Sequence, residues 1–188
     1  MKPCASTLPS ASKRVKMTEM PQMVALYNGM GGGAAAAIGA VELLKVSGVH
    51  SSLVLVVTIV GSLIGAISLS GSLIAWAKLD GRINGTWRIK GQQALNGLVF
   101  LATLALGLSI VFVWHGHAPV AVTAAFFVLA LIFGVLMTMP IGGADMPVVI
   151  SLYNALTGLA VAFEGYVLQN ESLIIAGTVV GAAGMLLT

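Results

Sequence analysis

The chain is 188 residues long, 58% hydrophobic and only 8% charged, with nine basic and six acidic residues and 23 glycines. A water-soluble domain carries about a quarter charged residues, so the solvent for most of this chain is lipid. Its net charge of +3 does not mark a nucleic-acid binder, because the basic residues are scattered over loops without interleaved aromatics. The single cysteine, Cys4, excludes a disulfide framework, a zinc finger and a CxxC redox motif.

The first sixteen residues carry Lys2, Lys13, Arg14 and Lys16 and no apolar run. They are read as a solvated or disordered tail, not a signal peptide or lipidation signal, ahead of a transmembrane domain over 17–188. Crossing a hydrocarbon core takes about 20 apolar residues of helix. Six stretches of that kind predict an all-α, polytopic membrane bundle with spans at 20–44, 52–77, 92–114, 118–138, 146–168 and 171–188.

The first span opens on Glu19-Met20-Pro21 and carries Asn28, eight residues past Met20 and so about 12 Å into the bilayer. The run Gly29-Met30-Gly31-Gly32-Gly33-Ala34 fits G-x-G-x-x-A, but no strand precedes it, so it is expected to be a packing surface and not a nucleotide loop. Glu42, near Lys45, is expected to be a solvated helix end. The second span has a small-residue stripe at Gly61, Gly65, Ser68 and Ser72. His115 and His117, between spans three and four, make no metal site without a third ligand.

The fifth span opens on Asp145-Met146-Pro147 and carries Asn154 and Glu164. Glu19 and Asp145 are expected to cap their helices, since a carboxylate suits the positive N-terminal end and Pro is tolerated in the first turn. Asp145 is also a functional candidate, lying in the tight turn from Met139 to Asp145. Glu164, ten residues past Asn154, is an acid inside an apolar span, which by default marks function. The sixth span ends at Thr188 while still apolar, and the expectation is that further chain followed it.

Spans one and five share a pattern at an offset of 126 residues: acid-Met-Pro, then Leu-Tyr-Asn, at 19–28 and 145–154. The spans that follow align at an offset of 120, with Ser52-Leu53, Thr58 and Val60-Gly61 matching Ser172-Leu173, Thr178 and Val180-Gly181. A helix hairpin used twice, in parallel, is therefore expected in spans 1–2 and 5–6. It would bring Asn28 and Asn154 to equal depth, either as interhelical hydrogen-bonding groups or as the lining of a polar path. An amide cannot carry a proton, so such a path also needs an ionisable neighbour.

Basic residues fix the expected orientation. Lys2, Lys13, Arg14, Lys16, Lys78, Arg82, Arg88 and Lys90 fall on one side and Lys45 alone on the other. By the positive-inside rule the N-terminus, the loops 78–91 and 139–145 and the C-terminus are cytoplasmic. Trp76, Trp87 and Trp114 lie near span ends, at headgroup level.

The segments Met-Thr-Glu-Met-Pro-Gln-Met-Val-Ala-Leu-Tyr-Asn-Gly-Met-Gly-Gly (17–32) and Ile-Gly-Gly-Ala-Asp-Met-Pro-Val-Val-Ile-Ser-Leu-Tyr-Asn (141–154) carry a family resemblance. From about Arg14 to its end the chain closely resembles the membrane domain of the beta subunit of proton-translocating NAD(P) transhydrogenase. The resemblance implies an inner-membrane complex that couples proton passage to hydride transfer between NAD(H) and NADP(H) bound in soluble partner domains. No cofactor is expected in this chain. The implied partners are alpha subunits, the NADP(H)-binding domain and a second copy of the complex. Full-length members carry further spans ahead of this region and a nucleotide domain after it. Many members have a proton-transferring histidine where this chain has Asn28, and those with Asn place the histidine in a partner subunit. The titrating group is thus implied to come from another chain. Asn154 and Asp145 match positions implicated in coupling, whereas Glu164 is shared with some members only.

Two other functions fit the residues: a stand-alone secondary transporter built on parallel repeats, and a non-conducting assembly subunit held by its glycine stripes.

Overall fold

The computed structural model describes residues 19–45, 51–83, 85–88 and 90–186; the expected tail at 1–16 lies outside them. Six helices follow one another: α1 (Met20–Leu44), α2 (Ser52–Leu79), α3 (Gln92–Phe112), α4 (Val120–Thr138), α5 (Met146–Val167) and α6 (Glu171–Leu186), with a single 3-10 turn at Gly143–Asp145 ahead of α5. In lipid every backbone N–H and C=O must be satisfied within the protein, and a helix does this within one segment. Five of the six are long and apolar enough to span a membrane. The sixth is apolar and is described over 16 residues.

The helix ends follow local chemistry. The Ser51 hydroxyl caps α2 by accepting from the Val54 amide at 3.3 Å. Pro21 and Pro147 occupy first turns of α1 and α5, where a missing N–H has no consequence. The expected carboxylate caps do not form. Glu19 and Asp145 hold the capping positions, yet neither side chain bonds a helix amide, because both backbones are already helical there, whereas a cap residue is typically extended. Only charge acting on the helix dipole remains. Between α5 and α6 the chain reverses in three residues: Gln169 takes a φ of 53° and the Asn170 carbonyl side chain accepts from the Leu173 amide at 3.2 Å.

The α1–α2 and α5–α6 hairpins are the most extensive interfaces, and α2 also packs on α5 and α4. With α1, α4 and α5 around it, α2 is the most buried span. Outside this group α3 packs mainly on α4 and turns Leu98, Leu101, Leu108 and Phe112 outward, a surface suited to hydrocarbon.

Glycines set the closest approaches. A Cβ on Gly65 would stand 2.7 Å from the Gly32 carbonyl oxygen and 2.9 Å from the Ala36 amide nitrogen, so α1 and α2 touch backbone to backbone, as the small-residue stripe predicts. In the second hairpin Gly158 meets Gly177 and Gly181. The offset of 120 makes Gly61, not Gly65, the counterpart of Gly181, so the two crossings differ in register.

One buried cation fixes the end of the bundle where α5 begins. The Lys78 ammonium donates to the carbonyls of Thr138 at 3.3 Å, Met139 at 2.5 Å and Ile141 at 2.7 Å. These belong to the C-terminus of α4 and the turn after it, where carbonyls lack helical partners.

Candidate functional site

Along α2, residues 62, 65, 68 and 72 share one face by helical spacing, and that face lies between α1 and α5. Asn28 on α1 is 6% exposed, and its amide nitrogen donates to the Ser72 hydroxyl at 2.9 Å. Its oxygen has no partner among the described residues. One turn further along α2, the Ser68 hydroxyl lies within hydrogen-bonding reach of the Tyr153 carbonyl at 3.2 Å and is hydrogen-bonded to the Thr157 hydroxyl. Beside Gly71 of α2, the Tyr153 phenol and the Thr138 hydroxyl meet at 2.6 Å. The bundle thus holds a cell of hydroxyls and one carboxamide around the middle of α1, α2 and α5.

Asn154 is half-buried and faces the same groove as Asn28. This groove, about 380 Å³ between α1, α5 and α6, is lined by Tyr27, Asn28, Gly31, Asn154, Thr157 and Gly177 among others. A second cleft of about 370 Å³ continues from Asn154 past Ser151 to Pro21 and Pro147, at the end where α1 and α5 begin. The structure therefore brings the two asparagines together, with α6 as a third wall.

Asp145 and Glu164 stand apart from this cell and from each other. Asp145 is exposed in the turn before α5. Glu164 is 0% exposed, and among the described residues no group other than the neighbouring Ser62 hydroxyl is placed to bond its carboxyl. It lies against α1 and α2 where both are glycine: a Cβ on Gly61 would stand 2.6 Å from Oε1 and one on Gly39 2.8 Å from it. The Ser62 hydroxyl sits over the same Gly39, beside the carboxyl. Glu42 is not the solvated end expected of it: its side chain is 11% exposed and paired with Lys45, because the last turn of α1 tucks it against the bundle.

Sequence reasoning singled out Asn28, Asn154, Asp145 and Glu164, and took Ser68 and Ser72 for packing residues. Both also bond across helices. Ser62, Thr157, Tyr153 and Thr138 were missed altogether. Thr157, one turn beyond Asn154, was the one with a positional signal.

Comparison with known proteins gives the family. A family model described as NAD(P) transhydrogenase beta subunit matches residues 5–188. Two curated relatives, both named NAD(P) transhydrogenase subunit beta and both from Rhodospirillum rubrum, are 52% identical over 64 residues. That stretch is 34% of this chain and 14% of each relative, so the matched segment spans about a seventh of their length. With the family model covering nearly the whole chain and an apolar helical bundle beneath it, this protein belongs to the NAD(P) transhydrogenase beta subunit family.

Proposed function

We propose that the chain is the proton-translocating membrane part of a transhydrogenase, coupling proton passage to hydride transfer between NAD(H) and NADP(H) carried out in other domains of the complex. The observation that carries this reading is the groove shared by Asn28 and Asn154, backed by the Asn28–Ser72 and Ser68–Thr157 hydrogen bonds. Amides and hydroxyls both donate and accept, so such a cell can orient water or a titrating group. Asn28 leaves its buried carboxamide oxygen without a partner among the described residues, which supports a titrating donor supplied by another chain. Asp145, exposed at the start of α5, would face the NADP(H)-binding domain, and Glu164 would serve the far end of the path. In this reading the Lys78 end is cytoplasmic, the membrane is the inner membrane, and the complex contains alpha subunits and a second copy of itself.

The test is Asn154→Ala in the complete complex, with proton pumping and hydride transfer assayed together. Pumping is expected to fall by about tenfold or more, equivalent to roughly 1.4 kcal/mol of lost transition-state stabilisation; unchanged coupling removes Asn154 from the path. The glycine crossings favour a second reading, a packing module without a path of its own. Full function after both asparagines become Leu would establish it.

A further inference from the structure

Beyond the asparagine groove the bundle contains a second polar cell, buried between α1, α2 and α5. Toward the middle, Gly32 and Gly65 bring α1 and α2 into backbone contact, and the fully buried Ala160 lies between Thr157 and Glu164 on α5. Away from the middle, a cleft of about 310 Å³ lined by Ala37, Ile38, Val41, Glu42, Lys45 and Leu168 reaches toward the Lys45 end. Among the described residues the cell holds one carboxyl, Glu164, and one hydroxyl, Ser62, both buried, side by side and with no other partner.

The chemistry of the cell selects its ligand. An isolated carboxylate in a dry apolar site is far costlier than the neutral acid. The charged groups around it offer no relief. On α1, Glu42 is acidic and already paired with Lys45; α2 contributes Ser62 and no cation; α6 brings Leu173 and Ile174 beside Gly165, neither of which titrates. One carboxyl and one hydroxyl are too few oxygens for a calcium ion, which takes about six to eight, and the helix carbonyls nearby are engaged in their own helices. A proton needs only the carboxyl.

We infer that Glu164 and Ser62 form an internal proton-holding site, occluded from the midplane cell by the Gly32–Gly65 crossing and loaded from the Lys45 end. Loading is an addition of one proton to the Glu164 carboxylate; the resulting O–H turns to donate to Ser62 Oγ, and unloading returns that proton. The inference depends on the proton-path reading only for the use made of the stored proton.

Infrared difference spectroscopy of the complete complex in lipid tests it. The wild type is expected to show a protonated-carboxyl band near neutral pH that Glu164→Gln abolishes and Ser62→Ala moves to higher frequency by removing its hydrogen-bond acceptor. A wild type with no such band, or a band untouched by Glu164→Gln, overturns the site. Should Glu164→Gln fail to assemble, Ser62→Ala decides alone, an unmoved band counting against the site. The band reports protonation whether or not the complex pumps. An intact band with pumping indifferent to Asn154→Ala sinks the path and keeps the site, and normal pumping without the band does the reverse.

Discussion

Thr138 lies 2.8 Å from the Gly134 carbonyl and donates its hydroxyl proton to it, which leaves the threonine oxygen to accept from the Tyr153 phenol. Tyr153→Phe therefore removes one donor and strands no buried group. It is expected to cost about 0.6–1.5 kcal/mol, read as a lowered unfolding temperature in detergent; a loss several times larger would mean the phenol has a further partner. The same hydroxyl chemistry explains what the sequence conceals. A carboxamide or an acid in a long apolar run is conspicuous, so Asn28, Asn154 and Glu164 stood out. Serines and threonines in helices commonly turn back on a carbonyl one turn earlier, as Thr58, Ser70, Thr103 and Thr178 do. Nothing local separates Ser70, which bonds within its own helix, from Ser68, which bonds to α5. Only the packing does.

At the scale of elements, the α1–α2 crossing has no room for a methyl group. Gly65→Ala forces the Gly32 carbonyl and the Ala36 amide apart and is expected to destabilise by about 1–3 kcal/mol, as overpacking does. Gly97→Ala on α3, where an added Cβ meets nothing within 4 Å, supplies the control: neutral or stabilising by up to about 1 kcal/mol through helix propensity. Equal effects in thermal unfolding would show that the close approach is not what Gly65 provides. Five helices long and apolar enough to cross a membrane lie where the sequence has its apolar stretches, because apolar length determines where a chain can cross lipid. The register between helices was not legible. The doubled acid-Met-Pro and Leu-Tyr-Asn pattern sets where each hairpin begins, whereas the crossing point depends on the connecting turn. In the second hairpin the helices are separated by three residues; in the first they are separated by seven, and Gly158 accordingly meets a different turn of its partner than Gly32 does.

For the whole molecule, Lys78 joins α2 to the end of α4 and the turn before α5. Replacing it with Met leaves the carbonyls of Thr138, Met139 and Ile141 without their charged donor. Hydrogen bonds to charged groups contribute about 1.5–3 kcal/mol, so amide hydrogen exchange through 139–145 is expected to quicken by roughly tenfold or more in Lys78→Met, while the start of α6, at the other end of α5, keeps its wild-type rate. Unaltered exchange across that turn would mean the ammonium is dispensable there. The interfaces on either side of this tether are unequal. At that end α2, the tail of α4 and the turn into α5 are bound through one ammonium group, whereas α1 is linked to α2 by the Gln22 amide on the Leu79 carbonyl, the Asn28–Ser72 bond and smooth glycine faces. A load applied to the 139–145 turn would swing α2 and α5 together like a lever, with α1 as the stator they slide past. The serine edge of α2 would then shift against Asn28, turning a push at the membrane surface into a change of hydrogen-bond partner deep inside the lipid.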